Sequence, residues 1–247
     1  MVRRSAGGAF RLAVALVRPL LMVLTRRDWR GAEHLPREGG FVVVSNHISH
    51  VDPFTLAHFL WDNGYPVRYL AKESVFRIPV GGRIVAGAKQ IPVYRETGDA
   101  ARAFSAAVDA VRSGECVGIY PDATLTRDPA LWPMVGKTGA ARVALTTGCP
   151  VIPVAQWGPQ EILPPYAKRF RLFPRRTVHV WAGPPVDLSA WQGRPLDPPT
   201  LRGATDAITA RLTEMLEAIR GEKAPAVRWD PRTHDLPRTG NPHRRQS

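Results

Sequence analysis

Residues 40–53 read Gly-Phe-Val-Val-Val-Ser-Asn-His-Ile-Ser-His-Val-Asp-Pro, and two structural signals meet inside them. Gly40 to Ser45 is a short unbroken apolar run bounded by turn residues, the pattern of a buried strand. Asp52-Pro53 then opens a helix, with Asp at the N-cap and Pro at the first helical position. Phe54 to Trp61 is its apolar body, and Asn63-Gly64 stops it. Working outward, the alternation continues. Val67 to Leu70 reads as a strand. Ala101 to Ser113 reads as a helix with Phe104, Val108 and Val111 on one face and Gly114 behind it. Val117 to Tyr120 is a strand, Lys137 to Thr147 a helix stopped by Gly148, and Val151 to Gln156 and Thr177 to Ala182 two more strands. Ala204 to Arg220 is an amphipathic helix that turns Ile208, Leu212, Met215, Leu216 and Ile219 inward. Alternating strands and helices predict an α/β fold: a single domain whose mostly parallel central sheet is flanked by helices.

Composition bounds the rest. A chain of 247 residues, 44% hydrophobic and 22% charged, has the make-up of one globular domain and excludes a fibrous or wholly disordered chain. Cys116 and Cys149 cannot build a disulfide framework, and neither has a second cysteine at metal-ligand spacing, so a reduced, cytosolic protein with no metal centre is expected. Lys and Arg total 34 against 21 Asp and Glu, a formal net charge of +13. Such an excess calls for an anionic partner: nucleic acid, an acidic membrane, or a phosphorylated substrate.

Residues 1–30 hold much of that charge. Arg3, Arg4, Arg11, Arg18, Arg26, Arg27 and Arg30 surround Ala13 to Leu24, an apolar stretch too short and too interrupted, by Arg18 and Pro19, to span a bilayer. No small-residue cleavage site follows Leu24, so a secretory signal is not expected. The segment reads as an amphipathic helix lying in a membrane interface, and otherwise as a helix capping the core. Residues 31–221 form the folded domain. Residues 222–247, rich in Pro, Arg and His without apolar periodicity, read as a disordered basic tail.

The chemistry-bearing residues lie just past the strands, where open α/β sheets place their reacting groups. His47 follows the first strand and Asp52 begins the next helix. A carboxylate bonded to one imidazole nitrogen fixes the tautomer and leaves the other nitrogen as a base. The bland alternatives are helix capping for Asp52 and a backbone-bonded loop histidine for His47. No Gly-x-Ser-x-Gly elbow is present, so the base acts on a substrate hydroxyl rather than on a serine. Three other stretches follow strands: Ala71-Lys72-Glu73, Val93-Tyr94-Arg95, and Tyr120 to Asp128. Lys72, Arg95, Arg127 and Lys137 are cations that can converge on a phosphate, though each taken alone reads first as a solvated surface charge.

Taken together, these stretches resemble the glycerolipid acyltransferase family, specifically the 1-acyl-glycerol-3-phosphate acyltransferases. The Asn-His-x4-Asp block is matched by Asn46, His47 and Asp52, and the second block by Pro92-Val93-Tyr94-Arg95. The Phe-Pro-Glu-Gly-Thr block is matched by Tyr120-Pro121-Asp122-Ala123-Thr124, and the last by Val151-Ile152-Pro153-Val154. Order and spacing agree from about Gly31 to Leu188. The third block departs from the family: Asp122 stands for Glu, Ala123 for Gly, and Leu125-Thr126 where an Arg is frequent, with Arg127 nearby.

The resemblance implies acyl transfer from acyl-CoA or acyl-carrier protein to the sn-2 hydroxyl of lysophosphatidic acid, giving phosphatidic acid for phospholipid biosynthesis. It makes His47 the base and Asp52 its partner, and assigns Asn46, Lys72, Arg95, Asp122, Ala123, Thr124 and Arg127 to substrate. It implies no metal and no cofactor beyond the acyl thioester. It places the protein at the cytoplasmic face of the cell membrane, peripheral or monotopic, against an anionic surface. Val75 to Ala88 reads either as the lining of an acyl groove or as core. The alternatives are another acceptor (glycerol 3-phosphate, a lysophospholipid or a glycolipid), a catalytically dead lipid-binding relative, and a basic nucleic-acid binder. No recognised nucleic-acid module supports the last, and no nucleic-acid partner is expected.

Overall fold

The computed structural model describes residues 6–93 and 100–233. In chain order the elements are α1 (Gly8–Leu24), β1 (Thr25–Arg30), β2 (Phe41–Ser45), α2 (Asp52–Asp62), β3 (Val67–Lys72), α3 (Gly81–Gly87), β4 (Ile91–Val93) and α4 (Ala100–Arg112). Then follow β5 (Cys116–Ile119), α5 (Gly139–Thr147), β6 (Val151–Trp157), the one-turn α6 (Pro159–Ile162), β7 (Arg176–Ala182) and α7 (Pro198–Arg220). Among the described residues the strands form one seven-stranded sheet in the order β1-β7-β6-β2-β5-β3-β4. Every pairing is parallel except β6 with β7.

The central strand β2 shows why its sequence is a continuous apolar run. Val42 and Val44 enter one core with Ala107 and Val111 of α4, Ala141 and Ala144 of α5, and Ile208 of α7. Phe41 and Val43 enter the opposite core with Leu56, Phe59 and Leu60 of α2. Both faces are covered, so both sets of alternating side chains must be apolar. Because β2, β3, β4, β5 and β6 run the same way, their C-terminal ends share one edge of the sheet. His47, Lys72 and Tyr120 all emerge there.

The N-terminal segment departs from expectation. Its helix ends at Leu24, and Thr25 to Arg30 is a sheet edge strand paired with β7 from Thr25↔Arg176 to Arg30↔Trp181. The boundary expected at residue 30 therefore cuts through the domain. Thr-Arg-Arg-Asp-Trp-Arg hides the strand because an edge strand tolerates, and benefits from, charge. Helix α1 is tied to the body on one side. Phe10 packs on Trp61 at 5.5 Å, and Arg18 makes two bonds to Asp62, 2.8 and 3.2 Å. Gly87 of α3 lets Ala9 approach, since a Cβ there would stand 2.7 Å from the Ala9 Cβ. The other side leaves Leu12, Leu16, Leu20 and Val23 exposed in a stripe. No helix among the described residues is long and apolar enough to cross a membrane.

The expected disordered tail is also corrected in part. After Gly221 closes α7 in the left-handed conformation, residues 222–233 lack helix and strand but are held. The Trp229 carbonyl accepts from the Val135 N–H at 3.0 Å, and Arg228 pairs with Asp206 at 3.0 Å. Residues 234–247 lie outside the described part.

Candidate active site

The turn between β2 and α2 is organised around one carboxylate oxygen. Asp52 is fully buried, and its Oδ2 accepts from the Ile48 N–H at 2.6 Å and the Ser49 N–H at 2.8 Å, and stands 3.0 Å from His47 Nδ1. Asp52 is thus the first residue of α2 rather than its cap. The N-cap is Val51, and the carboxylate turns back to hold the loop instead of the helix N–H groups. Burial pushes the Asp52 carboxyl up, and donation from His47, Ser49 and Ile48 pulls against it. An acceptor-only oxygen at Nδ1 requires the proton there, so Nε2 carries the lone pair. The His47 ring stacks on Tyr120, centroids 4.4 Å apart, and Tyr120 stacks on Tyr69 at 6.0 Å. Tyr69 in turn donates to the Pro53 carbonyl at 2.8 Å. The imidazole is fixed by a bond at one end and an aromatic face along its plane.

Beneath the dyad lies a buried polar clasp. Asn46 donates to the Gln156 carbonyl at 2.9 Å and accepts from the Gln156 N–H at 2.8 Å, so its amide prolongs the β2–β6 ladder by one rung. Gln156, itself fully buried, accepts from Thr55 Oγ1 at 2.6 Å and donates to Ser45 Oγ at 3.0 Å. One side chain therefore bridges the end of β2, which carries His47, and the first turn of α2, which carries Asp52. Asn46 is corrected from substrate contact to clamp, because both its amide atoms are used by backbone. Gln156 and Thr55 were not singled out in the sequence. A polar residue at the end of the apolar run Val151 to Ala155 was the available signal.

The third block is also placed at this edge, but turned inward. The Thr126 N–H donates to the His47 carbonyl at 2.7 Å, which binds this loop to the His47 turn. Asp122 is buried: Oδ1 accepts from the Met134 N–H at 3.1 Å, and Oδ2 is buried without a hydrogen bond. Burial pushes its carboxyl up to about 7. Arg127 is buried as well, at 7% exposure. Both side chains, expected from the sequence as substrate contacts, lie inside the loop rather than on its surface. Ala123, where the family has Gly, has a φ of 54°, the left-handed region that favours glycine, and Thr124 beside it is half-buried. Lys72 is exposed at the end of β3, and Lys137 begins the approach to α5 with its N–H on the Pro121 carbonyl. Arg95 lies outside the described residues.

The stretch from Val75 to Ala88 folds as α3 and a preceding 3-10 turn and leaves Ile78 and Val80 exposed. A groove of about 330 Å³ opens elsewhere, lined by Val17, Leu20 and Leu24 of α1, Phe54 of α2, and Leu163 and Phe170. His50 also lines it, and its ring is 6.4 Å from that of His47. Among the described residues no group of three or more His, Cys, Asp or Glu is placed to hold a metal ion.

A central strand that delivers a carboxylate-bonded histidine to a sheet edge beside an apolar groove defines a class, and comparison with known proteins agrees. Residues 26–157 match the model of the acyltransferase family, and the chain belongs to it. The chain is similar to a 1-acyl-sn-glycerol-3-phosphate acyltransferase of Borreliella burgdorferi, 32% identical over 125 residues, 50% of this chain and 48% of that one. It is also similar to the chloroplastic 1-acyl-sn-glycerol-3-phosphate acyltransferase BAT2 of Brassica napus, 30% identical over 141 residues, 56% of this chain and 39% of that one. These matches span about half or less of the relatives' length. In fold the chain resembles the crystal structure of the 1-acyl-sn-glycerophosphate (LPA) acyltransferase PlsC from Thermotoga maritima. The TM-score is 0.63 at 22% identity, covering 85% of this chain and 80% of that one.

Proposed function

We propose that this chain transfers a fatty acyl group from an acyl thioester, acyl-CoA or acyl-carrier protein, to the sn-2 hydroxyl of 1-acyl-glycerol 3-phosphate at a membrane surface. The observation that carries the chemistry is the His47–Asp52 pair with Nε2 left as the base. Nε2 takes the hydroxyl proton as the oxygen attacks the thioester carbonyl. The tetrahedral intermediate collapses, the carbon–sulfur bond breaks, and the imidazolium returns the proton to the departing thiolate. Asp52 orients the ring and stabilises the imidazolium between the two transfers. No residue of the protein becomes acylated. The apolar groove beside His50 takes an acyl chain, and Lys72, together with Arg95 on sequence grounds, neutralises the acceptor phosphate. The outward stripe Leu12, Leu16, Leu20 and Val23 on α1 holds the site at the cytoplasmic face of an anionic membrane, as a peripheral or monotopic protein.

The test is product formation from labelled acyl-CoA or acyl-carrier protein with a panel of acceptors, against His47→Ala. Transfer to lysophosphatidic acid supports the reading. Transfer to glycerol 3-phosphate, a lysophospholipid or a glycolipid instead moves the acceptor, a change for which the inward Asp122 and the Ala123 replacement supply the structural motive. Full activity of His47→Ala overturns the mechanism. Tight nucleic-acid binding without transfer overturns the reading altogether.

A further inference from the structure

We propose that the loop from Lys168 to Arg175 is a second membrane-contact element, which seats Phe170 and Phe173 in an anionic leaflet beside α1. The sequence there is Lys-Arg-Phe-Arg-Leu-Phe-Pro-Arg, and no acidic residue occurs from Ile162 to Val186. Phe170 is 59% exposed and Phe173 76%, whereas Leu172 between them packs into the core with Ile162 and Leu163. The loop is held, not loose. The Arg171 N–H donates to the Ile162 carbonyl at 2.7 Å, and Tyr166 donates to the Leu125 carbonyl at 3.1 Å. The two phenylalanines are thus presented outward by a fixed backbone.

Three observations select a leaflet as the occupant. First, the loop is continuous with the apolar face of α1. Arg175 donates to the Met22 and Thr25 carbonyls at 2.8 and 2.7 Å, closing the C-terminal end of that helix. Second, Phe170 and Leu20 line the same groove, so the loop and α1 stand on either side of its mouth. Third, Lys168, Arg169 and Arg171 are exposed, and among the described residues none has a carboxylate in ion-pair contact. Aromatic rings between cations are the composition that seats at the boundary of headgroups and acyl chains. An acidic protein or a nucleic acid accounts for the cations but not for exposed phenylalanines bordering an apolar groove.

The proposal rests on the acyltransferase reading only for the reason a leaflet is needed, and vesicle binding is read without turnover, so the two fail separately. The measurement is flotation of the full chain with vesicles of phosphatidylglycerol and phosphatidylcholine, and of phosphatidylcholine alone, across a salt series. Phe173→Ser should weaken partition about tenfold at every salt concentration, and Phe173→Leu should restore most of it. The double variant Arg169→Gln, Arg171→Gln should weaken binding to the anionic vesicles at low salt and converge with the parent at high salt. Unchanged flotation of all three folded variants overturns the proposal. So does a charge-only effect, with Phe173→Ser neutral and the arginine pair needed for an acidic carrier protein or nucleic acid. Melting curves confirm that each variant folds, and the arginine pair, lying wholly on the surface, keeps the test open if Phe173→Ser does not.

Discussion

Two loops leave the same edge of the sheet, and each is built around an aspartate, yet they spend it differently. In the 46–52 turn, Asp52 Oδ2 gathers two backbone donors and the base. In the 121–128 loop, Asp122 receives a single backbone donor, leaves one buried oxygen unbonded, and is followed by a non-glycine residue at φ 54°. The first arrangement fixes the orientation of the His47 ring. The second stores desolvation and backbone strain in a loop whose tie to the site is the Thr126–His47 backbone bond. Positioning comes from convergent bonds on one atom, and burial alone does not supply it.

That contrast breaks most directly at the dyad. His47→Ala should lower turnover by about 10² to 10⁴, the usual contribution of a positioned base. Asp52→Asn is the finer cut. An asparagine oxygen in the place of Oδ2 keeps the Ile48, Ser49 and His47 bonds, removes the charge that steadies the imidazolium, and puts an amide nitrogen where Oδ1 is buried without a partner. We expect a loss of about a hundredfold with the fold intact, read by steady-state kinetics beside a melting curve. A fall in melting temperature as large as the loss of activity would make Asp52 a structural group and erase the distinction between the two loops.

The clasp comes next in size. Gln156→Leu preserves volume but strips Ser45 and Thr55 of a buried partner, at a cost of about 3 kcal/mol in denaturant unfolding. Because Gln156 spans the strand of the base and the helix of the acid, turnover should fall about tenfold with the acceptor KM little changed. Gln156→Glu, which keeps an acceptor for Thr55, should lie between the two. A stability loss with turnover untouched would confine Gln156 to packing.

How far the sequence reached follows the same line. Continuous apolar runs and capped helices announced β2, β5, β6, α2 and α7, because burial on two faces or along one stripe leaves a period in the sequence. His47 and Asp52 were legible because the turn between a buried strand and a proline-started helix is short. Thr25 to Arg30 was not legible: edge strands hide in charge, and only Thr25 is fully buried there, with Asp28 and Trp29 half-buried. Ile91 to Val93 is too short for any period. The clasp was illegible for another reason. Gln156 meets Asn46 across 110 residues, and a contact of that separation exists only once the sheet has formed. Asp122 and Arg127 were assigned to substrate by their place in and beside the family's third block, and the structure buries both.

The third comparison concerns pH. The Asp122 carboxyl is raised by burial from an ordinary 3.8 to about 7, so between these values the folded chain holds a proton that the unfolded chain has released. Its contribution to stability is fully present below about pH 4 and is lost as pH rises through about 7. Asp122→Asn removes that dependence. Relative to the parent it should gain about 2 kcal/mol at pH 8, below the ceiling of about 4 that the rise to about 7 sets, and about a third of that gain at pH 5. Denaturant unfolding at the two pH values reads it. An equal effect at both would mean that the carboxylate has solvent or a cation at hand, and that the two aspartates differ less than their bonds indicate.

The smallest effect isolates the strain. Ala123 holds φ 54° while its N–H donates to the Tyr120 carbonyl at 2.9 Å, so the tight turn imposes a left-handed residue where alanine stands. A Cβ in that region costs about 1 kcal/mol relative to glycine, and the greater freedom of glycine in the unfolded chain returns part of it. Ala123→Gly should therefore stabilise the chain by about 0.5 kcal/mol, a melting shift of one or two degrees at about this size. It leaves the Thr126–His47 bond in place, so turnover should be kept or slightly raised. If turnover falls while stability rises, the alanine methyl is a contact for the acceptor. The strained loop then selects substrate, and its strain is the counterpart of the bonds that hold Asp52.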